Sequence, residues 1–194
     1  MAIYTKYTEA VETGKHGIVR LSRLKASDVG RIYDLLVENA SGEAIAVDRG
    51  TALKVGAKIN DGLQVRKATI AKTTDKIVVV SNPATIKDAF TRAQEEESNY
   101  YVKAGEIVKA HEVVTDDQEV FGVADYQFST VVDSTNGPQF GNYVVVDGNG
   151  GYVELAAMPD VDTYGYIGQI IGFETSYNTD FKAVLIECIQ NVQL

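Results

Sequence analysis

TALKVGAKINDGLQVRKATIAKTTDKIVVVS, residues 51–81, decides the fold class. Its apolar segments are short, rich in β-branched residues, and separated by GAKINDG and KTTD, which carry the Gly and Asp that tight turns use. Upstream, AIAV at 44–47 is closed off by DRG, so Gly and Asp turn signals recur about every 8 to 12 residues. Such spacing is the mark of an all-β sandwich or barrel. RIYDLLV, from Arg31, permits two readings: Val29, Ile32, Tyr33, Leu36 and Val37 fit a helical stripe with Ser27 as N-cap, and IYDLLV before NASGE fits a buried strand and turn. The strand is favoured, because Gly30 would fall in the first helical turn.

The sequence predicts one helix, at 83–96 within SNPATIKDAFTRAQEEE. Asn82 can cap it, Pro83 takes the first helical position, and Ile86, Ala89, Phe90 and Ala93 share one face. Beyond it the strand pattern resumes in EIVKAHEVV, EVFGVADYQF, NYVVV, GYVELA, YIGQIIGF and FKAVLIECIQ. FKAVLIECIQ is apolar on both faces, which predicts a central strand or one packed between layers. Residues 1–25 lack a sustained period and read as an extended arm. The expected organisation is that arm followed by a mainly β body over 26–194, with two subdomains, 26–81 and 97–194, joined by the 82–96 helix, as one option.

Bulk composition narrows the function. The chain has 194 residues, long enough to bury a self-sufficient core. Its net charge is -9, with 27 acidic and 18 basic residues and no basic cluster, which argues against direct nucleic-acid binding. No apolar run approaches the roughly 20 residues of a membrane helix, and no secretory leader pattern opens the sequence. Cys188 is the single cysteine, so an intrachain disulfide is excluded, and VLIECIQ around it predicts a buried, inert thiol.

The candidate sites weigh toward structure. His111 precedes Asp116, Asp117 and Glu119, but the other histidine, His16, is far away in sequence, and a zinc or iron site wants at least two histidines or thiolates. TDDQE reads instead as the turn of a hairpin joining EIVKAHEVV to EVFGVADYQF, with Val108, Val114, Phe121 and Val123 in the core. DGNGG at 147–151 misses the calcium-loop pattern and predicts a hairpin turn. Asp160 and Asp162 alternate in a Pro- and Gly-flanked loop and are expected to face solvent. TGKHG at 13–17 lacks the residues of a phosphate loop, and GYIGQIIG at 165–172 departs from the dinucleotide fingerprint and reads as a bulged strand. Asn39 and Ser41 form a glycosylation triplet that is idle without secretion. No catalytic, cofactor or metal residue is assigned.

KHGIVRLSRL at 15–24, IYDLLVENASGEAIAVDRGTALKVG at 32–56 and ESNYYVKAGEIVKAHEVVTDDQEVFGVADYQF at 97–128 resemble small structural proteins of tailed-bacteriophage virions, of the capsid decoration or cement type. The resemblance covers about the first two thirds of the chain. It implies a non-enzymatic viral structural protein, made in the host cytoplasm, that binds the major capsid protein lattice on the capsid surface and stabilises the assembled head. It also implies a homo-oligomer, a trimer being one option, with no cofactor and no membrane or nucleic-acid partner. A carbohydrate- or receptor-binding β module, head-fibre or tail-associated, is the alternative, served by the tyrosines in loops 98–101 and 164–166. An enzyme using His111 is the third reading.

Overall fold

The computed structural model describes residues 16–20, 31–59, 64–82, 100–115, 120–175 and 182–194. Within them the chain is mainly β, with one 3-10 turn at Asp125–Gln127: β1 (Val19–Arg20), β2 (Ile32–Val37), β3 (Val47–Asp48), β4 (Ala52–Lys58), β5 (Arg66–Ile70), β6 (Val78–Val80), β7 (Tyr101–Val102), β8 (Val108–Glu112), β9 (Val120–Ala124), β10 (Phe128–Thr130), β11 (Tyr143–Val146), β12 (Tyr152–Leu155), β13 (Tyr166–Thr175) and β14 (Lys182–Asn191). IYDLLV is therefore a strand, and the mainly β expectation holds. The predicted helix at 83–96 and the TDDQE acids at 116–119 lie outside the described residues.

Five strands close a barrel in the order β2-β5-β4-β6-β8, and seven form a sheet in the order β1-β9-β14-β13-β11-β12-β10. In the barrel β2 runs parallel to β5, and the other four pairings are antiparallel. Strand parity sorts the side chains. Leu53, Val78, Val80, Val108 and Ala110 fill the barrel with Leu35, Val37 and Ala68, whereas Ala52, Val79 and Val113 point outward and join the core of the sheet. Val79 thus lies between two cores, which is why VVV is apolar on both faces.

The sheet's core is built on Phe121, Tyr152, Tyr166, Ile170, Val184 and Ile186, with Phe121 ring centroids 6.1 Å from Tyr152 and 6.3 Å from Tyr166. β14 sits between β9 and β13, and Ala183, Val184, Leu185, Ile186 and Cys188 are all buried, as its two-faced apolar pattern predicts. The bulges expected in GYIGQIIG occur as register shifts at Ile167/Gly168 and Ile170/Gly172. β11 and β12 pair as the hairpin expected around DGNGG, whose Gly148 and Gly150 take φ of 81° and 95°.

One expectation fails. β8 and β9 do not form a hairpin: β8 pairs with β2 and β6 in the barrel, and β9 with β1 and β14 in the sheet. The local turn chemistry was compatible with pairing, but the two strands bury themselves against different partners, and partner choice is set by non-local packing. Correspondingly, Val113 is buried and Val114 only half-buried. The sheet boundary does not coincide with the 82–96 segment either, because β8, from the C-terminal side of it, closes the barrel made of strands from the N-terminal side.

Of the expected arm, residues 16–20 are described, and they belong to the body. β1 pairs Val19 with Val123 and Arg20 with Gly122. Gln127 Oε1 accepts from Ile18 N at 3.0 Å, Tyr126 Oη donates to His16 O at 2.6 Å, and Asp48 Oδ2 accepts from Gly17 N at 3.1 Å. A Cβ on Gly17 would lie 2.4 Å from Arg49 O, so only glycine allows this crossing.

Candidate functional site

His111 sits on the outer face of β8, opposite Val79 on one side and Ile32 on the other. Its Nδ1 lies 2.6 Å from Ser81 Oγ, which is 3.2 Å from Lys109 O. Burial pushes the imidazole below its ordinary value of 6.5. His16 is engaged elsewhere: Nδ1 is 2.8 Å from Asp48 Oδ1, and the ring stacks on Tyr101 with centroids 4.6 Å apart. Among the described residues no group of three or more His, Cys, Asp or Glu side chains is arranged to hold a metal ion.

The remaining sequence candidates have local structural roles. Asp147 Oδ1 accepts from Asn149 N and Gly151 N and so shapes the hairpin turn. Asp160 and Asp162 are exposed, and Asp160 accepts from Asp162 N at 3.0 Å. Asn39 Oδ1 accepts from Ser41 N and Glu43 N, ordering its own turn. Cys188 is buried in the sheet's core. The tyrosines proposed for glycan contact do not cluster in an exposed face: Tyr100 packs against the barrel core, Tyr101 stacks on His16, Tyr164 is half-buried and Tyr166 fully buried.

Two features stand out that the sequence did not single out. The first is the loop 131–142, VVDSTNGPQFGN, between β10 and β11. Glu154, on β12, is 2 % exposed, and its carboxylate spans the loop. Oε2 accepts from Val132 N at 2.7 Å, and Oε1 accepts from Gln139 N at 2.6 Å and from Asn142 Nδ2 at 2.8 Å. Asp133 accepts from Thr135 N, Asn136 N and Asn136 Nδ2, and these bonds hold its carboxyl below the usual carboxylate range. Backbone bonds exchanged by Gly141 and Asn142 with Ile170 fix the far end to β13. On this braced frame Phe140 is 71 % and Val132 52 % exposed. Two signals were available: an aromatic isolated between Pro138 and Gly141 in a turn-rich segment, and a glutamate sharing its strand face with the core residue Tyr152.

The second is the open end of the barrel. Tyr33, Val78 and Glu112 continue the inward parity of Leu35, Val80 and Ala110, and with Lys54, Val55, Lys76 and Gln193 they line a cavity of about 190 Å³. Lys76 Nζ is 2.5 Å from Glu112 Oε1, and Lys54 Nζ is 2.6 Å from Asp75 Oδ1. Asp75 also accepts from Lys72 N and Gln193 Nε2. Burial pushes the Asp75 carboxyl up, but these hydrogen bonds and the Lys54 charge outweigh it and leave the carboxyl below its ordinary value. Arg66 lies over the Tyr33 ring, 5.9 Å from its centroid.

No protein-family model matches the chain, and no curated protein or solved structure matches it.

Proposed function

We propose that this protein is a non-enzymatic structural component of a tailed-phage virion, a decoration protein that docks on the major capsid protein lattice and cements the head. The observation that carries the reading is the braced loop 131–142, which holds Phe140 in the open at 71 % exposure. An aromatic anchor that is already ordered loses little conformational entropy on docking, and such anchors supply most of the energy of protein interfaces. The two carboxylates of this frame, Asp133 and Glu154, accept hydrogen bonds from the loop that carries Phe140. Its neighbours in the loop are bonded into turns.

Repetition over a symmetric lattice would multiply one modest contact per subunit into firm attachment, because later contacts form at high effective concentration. The N-terminal segment fits as an auxiliary tether. Of that segment, residues 16–20 are joined to the sheet edge through β1. The decisive experiment mixes purified protein with undecorated capsids and images them, beside Phe140→Ser and a chain lacking residues 1–15. The wild type is expected to occupy regular lattice positions and Phe140→Ser to be lost from them at unchanged melting temperature. Absence of wild-type density on the capsids, or full occupancy by Phe140→Ser, would overturn the reading.

A further inference from the structure

We infer that the open end of the five-stranded barrel is a binding site for a small polyhydroxylated carboxylate, of the size and kind of a uronic-acid sugar residue. The inference is independent of the docking role, since it uses none of the residues of the 131–142 loop. Barrel mouths are preferred places for small-ligand sites, and a cavity of about 190 Å³ is below the range of drug-sized pockets, which limits the occupant to a single sugar-like unit.

The arrangement of charge selects the ligand's sign. Asp75 and Glu112 lie deep, with side chains 5 % and 11 % exposed, whereas their partners Lys54 and Lys76 are 43 % and 45 % exposed. The cations therefore face the opening and the carboxylates lie beneath them. Each ammonium has three N–H donors, and one of them is directed at its carboxylate, so donors remain for a ligand. Arg66 adds a further positive charge beside Tyr33. In a chain of net charge -9 this mouth presents cations to solvent, and an incoming anion is drawn to it.

The rest of the lining selects the ligand's body. Tyr33 Oη donates to Glu112 Oε2 at 3.4 Å and Gln193 Nε2 donates to Asp75 Oδ1 at 3.2 Å, so the phenol oxygen and the carboxamide oxygen are left to accept from hydroxyl groups, and Val55 and Val78 provide the apolar part of the lining. An apolar lining of two valines suits the C–H face of one pyranose ring. The carboxylate of the ligand would take the remaining donors of Lys54 and Lys76, and its hydroxyls would donate to Tyr33 Oη and Gln193 Oε1.

The test is a titration of the full-length protein with sodium glucuronate, glucose and acetate in turn, followed by backbone amide NMR shifts. Glucuronate should give saturable shifts confined to Tyr33, Lys54, Val55, Lys76, Val78, Glu112 and Gln193, with affinity at the weak end, about 1–10 mM, and at least about tenfold tighter than glucose or acetate. Tyr33→Phe, which keeps the ring in the core, should weaken glucuronate severalfold. The paired change Lys76→Gln with Glu112→Gln keeps a hydrogen-bonded neutral pair and should abolish the preference for glucuronate over glucose. No saturable shift with glucuronate, equal binding of acetate, shifts elsewhere on the molecule, or wild-type affinity in the paired variant would each overturn the proposal. Capsid attachment is read separately, so loss of either activity leaves the other to be judged on its own result.

Discussion

Asn191 and Ile77, 114 positions apart, are joined by a two-way hydrogen bond: Asn191 Oδ1 accepts from Ile77 N at 2.7 Å, and Asn191 Nδ2 donates to Ile77 O at 2.9 Å. The same Nδ2 also donates to Val113 O at 2.7 Å. One carboxamide at the end of β14 thus satisfies backbone groups on the approach to β6 and on the exit from β8, at the buried seam between sheet and barrel. Asn191→Ala would leave those three backbone groups unpaired and is expected to cost about 3 kcal/mol or more, at 1–3 kcal/mol for each orphaned buried group. Asn191→Asp can still accept from Ile77 N but cannot donate, so it should also destabilise strongly. Urea midpoints at constant slope check both.

Glu154 is expected to govern the order of the loop 131–142 that carries Phe140. In Glu154→Gln one carboxylate oxygen becomes an NH2 group facing an N–H donor, so at least one of the bonds to Val132 N, Gln139 N or Asn142 Nδ2 is lost. The cost should be about 2 kcal/mol. Hydrogen exchange at the Val132 and Gln139 amides should accelerate, and capsid attachment should weaken although Phe140 is intact. Unchanged exchange at both amides would contradict the bracing role.

Gly168 is a packing requirement rather than a ligand contact. A Cβ there would stand 2.4 Å from Ile186 Cγ2 and 2.6 Å from Tyr166 Oη. Gly168→Ala should therefore destabilise by about 1–3 kcal/mol through overpacking. The Tyr166 hydroxyl is buried and has no hydrogen-bond partner among the described residues, so Tyr166→Phe should be neutral or stabilising and should recover part of the loss in the double variant. A double-mutant cycle with no coupling would refute the proposed clash.

The pH dependence of stability should carry a His111 signature. Its folded-state value lies below the ordinary 6.5, so the unfolded chain takes up the proton first as pH falls. Stability contributed by the neutral ring is then present above about pH 6.5 and declines as pH drops from there toward the folded-state value. His111→Gln should flatten that decline in denaturation midpoints measured across this window, and should leave capsid attachment intact. Asp75, held low, acts at more acid pH: its contribution is present above about 3.8 and is lost below, as the carboxyl protonates.

Much of the fold was legible where the signal is local. Turn punctuation separated AIAV, TALKV, the Arg66–Ile70 strand and KIVVVS, and the two-faced apolar pattern of β14 marked its interior position. What was not legible was partnership. TDDQE looks like a hairpin turn, yet Val108 and Ala110 belong to the barrel interior and Phe121 and Val123 to the sheet core, a division that depends on strands tens of residues away. The candidate surfaces were hidden for the same reason. Lys54, Lys76, Glu112 and Gln193 come from separated segments and meet only because β4, β6 and β8 close a barrel and the chain's last residues reach its mouth. Phe140 was hidden differently, since its exposure goes with a loop held by the bonds of Glu154 and Asp133 and by the backbone bonds to Ile170, of which those to Glu154 and Ile170 are contacts between separate elements.

The interleaving of barrel and sheet also dictates the order in which the molecule can be made. β2 must wait for β8 to close the barrel, β1 must wait for β9, and the seam at Ile77 is sealed only when Asn191 arrives. β4–β5, β11–β12 and β13–β14 are sequence neighbours, but barrel closure and the rest of the sheet join distant segments, so folding should be slow, on the order of milliseconds to seconds. The same interleaving makes the two sheets depend on each other: the Asn191 side chain on β14 holds backbone groups of Ile77 and Val113 beside β6 and β8, so opening either sheet strips partners from the other.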